Sequence, residues 1–203
     1  MSNGAQESCE VMKSLPVLFS AVAGFSGVLV GAWLTGRRDR AQRKHSFIEK
    51  QLKEFYSPLL GIRSEIKMKS ELRVKIQDTA GTVWRELCGE AQEVRELKEI
   101  SNSRWPEFAK IIEYDNTQLD EELLPAYRQM LQIFRDNMWL AEPETRTFFG
   151  TLLEYNEIWN RWQKKTLPPE VLQRLNHGEA PLLPFYEHLQ KKHDELQVTL
   201  STT

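Results

Sequence analysis

The sequence predicts an all-α protein: a single N-terminal transmembrane helix followed by a cytoplasmic antiparallel bundle of about five to six helices. Three observations predict it. Leu15 to Gly36 is a run of 22 residues without a charged side chain, and RRDRAQRK follows it directly. Beyond residue 45, apolar residues recur at helical spacing with no sustained apolar–polar alternation. Half of the ten glycines fall in the first 36 residues, and no Asn-Gly or Asp-Gly hairpin signal follows them.

The apolar run is long enough to cross a bilayer. At about 1.5 Å per residue it reaches roughly 33 Å. A secretory signal peptide is the rival reading, but it requires a basic start, a shorter apolar core and a small-residue cleavage pattern. The segment before Leu15 carries Glu7 and Glu10 against Lys13, and AWLTGRR offers no such pattern. An uncleaved anchor is favoured. Arg37, Arg38, Arg40, Arg43 and Lys44 lie beyond the span and only Lys13 lies before it. The positive-inside bias therefore places the N-terminus outside and the large C-terminal part in the cytoplasm. The division is a short outer segment (1–14), the span (15–36), a basic flank (37–44) and a helical domain (45–203). The flank is suited to anionic head groups at the membrane surface.

Within the span, Ser20, Gly24, Gly27 and Gly31 share one helix face, and Gly27 to Gly31 is a GxxxG step. Small residues let helices approach closely in lipid, so this face is a candidate packing surface for a second copy. The next helix carries Ile48, Leu52, Phe55, Leu59, Ile62 and Ile66 as an apolar seam. Ser20, Gly27, Ile48, Phe55 and Ile62 fall at one heptad position, as a parallel coiled-coil homodimer requires. The competing reading is that the seam packs against the domain's own helices, with Pro58 bending it.

Further on, a break is expected around Asp78–Gly81, then a helix from Val83 to Leu97 that ends at Ser101-Asn102-Ser103. Pro106 opens a short helix, and Thr117 with Asp120 imitates a capping box for a helix reaching Leu140. Pro143 opens the next helix, and Pro168-Pro169 begins a short turn. The last helix carries Leu182, Phe185, Tyr186, Leu189 and Leu196.

The search for chemistry excludes more than it finds. The four histidines lack helical metal spacing, no Glu-x-x-His occurs, and Cys88 has no C-x-x-C partner. There is no G-x-S-x-G elbow and no phosphate loop, so no catalytic residue, metal or cofactor is assigned. Net charge is −2, and removing the basic flank makes the remainder more acidic, a poor match to nucleic acid. Tyr155, Trp159 and Trp162 at spacings of four and three form a candidate partner-binding ridge, although bundle core explains them more simply. The sequence thus predicts a non-enzymatic, membrane-anchored interaction or regulatory module whose partners are the bilayer and another protein or itself. A self-assembling membrane effector is the second reading, and an enzyme with an unrecognised site the third.

Overall fold

The computed structural model describes residues 33, 35–91, 93–175 and 177–202. These fall into two units, one ending at Ile48 and one spanning Glu49–Thr202. In the first, residues 35–48 are helical. Most of the uncharged run, including Ser20, Gly24, Gly27 and Gly31, lies outside the described residues, as does Cys9. Among the described residues no helix is long and apolar enough to cross a membrane.

Described residues of the second unit are helix and connecting turns, without strand. A π-helical segment, Gln51–Tyr56, leads into α1 (Ser57–Gly89). Helix α2 (Val94–Gln118) passes through a second π-helical segment, Leu119–Leu123, into α3 (Leu124–Asp136). The short α4 (Pro143–Arg146) precedes α5 (Phe149–Gln163), and the short α6 (Pro169–Arg174) follows it. A 3-10 turn, Ala180–Leu182, opens α7 (Leu183–Ser201).

Each π-helical segment ends two residues before a proline, Pro58 or Pro125. Proline has no N–H for the carbonyl four residues back, and its ring clashes with that turn. Widening the helix by one residue relieves the clash without ending it. Ser57 and Leu124 accordingly donate five residues back, to Leu52 and Leu119.

Three expected interruptions are absent. Gly81 lies inside α1, Pro106 inside α2, and Thr117 is followed by uninterrupted helix. The chain turns instead between Gly89 and Val94. There the Glu93 side chain caps the N3 amide while Glu96 reaches back to the Glu93 N–H, at 3.4 Å. Expected short helices thereby merge into two long rods. Pro143 opens a helix as expected, and Pro169, where a short turn was expected, opens one too, each in the first turn where the lost N–H is harmless.

The core sits at one end of this unit. Leu52, Phe55, Leu59 and Ile66 are buried against residues of the same chain, among them Met130, Phe134, Leu152, Phe185 and Leu189. The seam over residues 52–66 is therefore occupied internally and is not free for a parallel partner helix. Phe134 stands at the centre, its ring 5.2 Å from Phe55, 5.4 Å from Phe149 and 5.9 Å from Phe185. Phe55 and Phe185, each close to a proline in a first helical turn, Pro58 and Pro184, converge on it.

Candidate functional site

Beyond this core the second half of α1 and all of α2 run on as an antiparallel hairpin only two helices deep. Lys69 Nζ meets Glu122 Oε2 at 2.8 Å, and Gln77 Nε2 donates to Asp115 Oδ2 at 2.6 Å. Nearer the tip, the Trp84 ring lies 5.1 Å from Phe108 and 5.3 Å from Trp105. Carboxylates beside Lys69 push its ammonium up to about 12.

The hairpin buries remarkably little for its length. Helix α3 buries five side chains in 13 residues, whereas α2 has 25 residues and its one buried side chain is the carboxylate Asp115. Leu72, Ile76, Val83, Leu97, Trp105 and Ile112 are exposed. Clustered exposed apolar side chains mark contact surfaces, whereas single scattered ones need no explanation.

These side chains line two faces. On one, Leu72, Ile76, Val83 and Ile111 bound a shallow hollow of about 330 Å³. The other carries three hollows in succession, the first of which shares Ala80, Phe108 and Ile111 with the hollow on the opposite face. Trp84, Trp105, Gly81 and Ile112 line the first, of about 420 Å³. Ile112 is shared with the second, of about 530 Å³, which continues over Ala109 and Asn116 to Asp120. Asp120 is shared with the third, of about 550 Å³, walled by Trp162, Leu167, Pro168 and Pro169. The floor is one strip running from α2 into the second π-helical segment, Trp105, Ala109, Ile112, Asn116 and Asp120, at spacings of four, three, four and four.

The far wall depends on how α5 ends. Lys165 adopts φ 54°, and Thr166 N–H reaches back to the Arg161 carbonyl at 3.0 Å. This left-handed closure stops the helix and sends the chain into the Pro168-Pro169 turn.

Two polar networks lie inside the bundle. Arg63 Nη1 is 2.7 Å from Glu179 Oε1, its guanidinium lies 3.9 Å over the Tyr186 ring, and the Tyr127 hydroxyl donates to the same carboxylate oxygen. Burial raises the pKa of Tyr127, Tyr155 and Tyr186, so all three remain neutral hydroxyls. In the second network Thr145 Oγ1 joins the Tyr56 hydroxyl, at 3.0 Å, to His188 Nε2, at 2.9 Å. Glu142 N–H donates to the same Tyr56 oxygen. Burial lowers the pKa of His188, and the Lys192 charge adds to the effect. Thr145 is 0 % exposed, so no substrate reaches its hydroxyl and the network reads as a clamp on α4. Among the described residues no group of three His, Cys, Asp or Glu is placed to hold a metal ion.

The residues singled out from sequence separate. Tyr155 stacks on Tyr127 at 4.7 Å, within the bundle. Trp159 donates its indole N–H to the His177 carbonyl at 3.1 Å, holding the segment before α7. Trp162 alone of the three lines the trough. Arg37, Arg38, Arg40, Arg43 and Lys44 are exposed on the first unit's helix, the Arg37 guanidinium 5.6 Å over the Trp33 ring. Cys88 is a free, half-buried thiol near the hairpin tip.

The trough residues of α2 went unnoticed in sequence because Ser101–Ser103 and Pro106 read as breaks. The available signal was Trp105, Ala109, Ile112 and Asn116, which share a face once the helix is continuous. Compared with protein-family models, curated proteins and solved structures, the chain matches none.

Proposed function

We propose that this chain is a membrane-anchored protein-interaction module whose contact element is the α1–α2 hairpin. The observation that carries the reading is the 25-residue α2, which buries no apolar side chain yet presents Trp105 and Ile112 to solvent. A helix of that length gains its stability from packing an apolar face, and here the second layer is missing. A partner protein supplies it. The anchor is the uncharged run Leu15 to Gly36, with Arg37, Arg38, Arg40, Arg43 and Lys44 at the surface of the cytoplasmic leaflet. On this reading the bundle is the rigid base that aims the hairpin, and its polar networks hold that base together.

The test uses the full chain in its native membrane. Trp105→Ser with Ile112→Ser is expected to abolish recovery of cross-linked partners. Val198→Ser, an equally simple change at an exposed site on α7, is expected to leave recovery intact. Equal recovery from both variants refutes the hairpin as the contact element.

A further inference from the structure

We propose that the trough along α2 receives one amphipathic helix of a partner protein, its apolar side toward Trp105 and Ile112 and its flanks basic. This rests on the interaction reading above and adds the occupant.

Length is the first argument. From Trp105 to Asp120 the strip runs about 22 Å at 1.5 Å per residue, the length of roughly four helical turns. The ends are bounded by Trp84 and Trp105 on one side and by Trp162, Pro168 and Pro169 on the other. Large aromatic walls at both ends with a low floor between them suit a rod laid lengthwise.

The floor is the second argument. Ala109 and Asn116 are short, and Gly81 on the opposing arm has nothing within 4 Å of where a Cβ would stand. A helix backbone can therefore settle close to α2, with its larger side chains seated beside Trp105 and Ile112. Helix-in-groove recognition reads anchors at i, i+4 and i+7, the spacing that this strip repeats.

Charge decides which helix. Glu113, Asp120 and Glu121 line the middle hollow, and among the described lining residues of the trough the single cation is Lys165. Among the described residues none of the three carboxylates is in an ion pair. An acidic rim draws in a basic partner and repels an acidic one, which sets both the approach and the direction of specificity.

The experiment uses the full chain in nanodiscs and two synthetic 16-residue helical peptides, each carrying a central photoreactive residue. Both are about four turns long with leucines at positions 1, 5, 8 and 12; one is flanked by lysine and arginine, the other by glutamate. The basic peptide is expected to label residues between 105 and 120 and around 162–169, and the acidic peptide at least tenfold less. Glu113→Lys with Asp120→Lys is expected to reduce labelling by the basic peptide tenfold or more. Ala109→Trp, which fills the floor and keeps the charges, is expected to do the same. Labelling of the face formed by Leu72, Ile76 and Val83, or equal labelling by both peptides, overturns the proposal. So do chain-to-chain cross-links from residues 37–44 into the trough, which make a second copy the occupant. If neither peptide labels the chain while Trp105 and Ile112 still govern partner recovery, the basic helix is refuted and the interaction reading stands.

Discussion

The side-chain amide of Asn137 lies 3.1 Å from the main-chain carbonyl oxygen of Glu54. Residue 58, four positions further on, is proline and has no N–H to offer that carbonyl. The donor comes from the far end of α3 instead, so one hydrogen bond both satisfies the interrupted helix and ties α3 to it. Asn137→Ala is expected to lower unfolding stability by about 1 kcal/mol, the usual net value of such a bond. With Pro58→Ala in the same chain the cost is expected to shrink, because residue 58 then supplies the missing donor. Urea unfolding of the four proteins in this cycle measures the coupling.

Gly81 sits in the middle of α1 with open space where a side chain would begin. A helix-interior glycine is about 1 kcal/mol less favourable than alanine. Gly81→Ala is expected to stabilise the hairpin by that order, read as slower amide exchange across residues 77–88. Unchanged or faster exchange contradicts an uninterrupted α1.

Stability is expected to fall in mild acid through His188. Its pKa is lowered from the ordinary 6.5, first by burial and then by Lys192, against weaker opposing pulls from Glu144, Glu142 and Glu195. The unfolded chain therefore binds the proton more readily than the folded one. Stability from this group is fully present above about pH 6.5 and is lost as pH falls from there toward the folded-state pKa. His188→Gln keeps a hydrogen-bonding group near Thr145 and is expected to flatten the slope of denaturation midpoint between pH 5 and 7. A slope equal to that of the parent chain removes His188 as its source.

Arg63 and Glu179 are nearly enclosed, with side-chain exposures of 14 % and 29 %. Arg63→Met strands the carboxylate with only the Tyr127 hydroxyl, and a loss of about 2 kcal/mol is expected for a charged hydrogen bond of this kind. Glu179→Gln keeps an acceptor for both donors and is expected to cost less. Thermal unfolding ranks the two, and the reverse order contradicts the assigned role of Glu179.

Much of the bundle was legible in the sequence. Leu52, Phe55, Leu59 and Ile66 repeat with helical period and are all buried, while Pro143 opens a helix where proline is tolerated. The hairpin was not legible, because local signals oppose the tertiary outcome. Gly81 and Pro106 each disfavour helix, yet both helices run on through them, with Trp84 edge-on against Trp105 and Phe108 between the two arms. Tyr155, Trp159 and Trp162 share a spacing but not a surroundings: one packs inward, one caps a loop carbonyl and one faces the trough. Periodicity places side chains on a face of their own helix, and it does not say what covers that face.

The most direct measurement of the central claim is site-specific photo-cross-linking from the hairpin. A photoreactive residue at Ile112 of the full chain, expressed in its native cell, is expected to capture a discrete partner protein, with the cross-link mapped to a helical segment of it. The same residue at Val198 is expected to capture none. Identical captures from both positions, or capture at Val198 alone, would contradict the account.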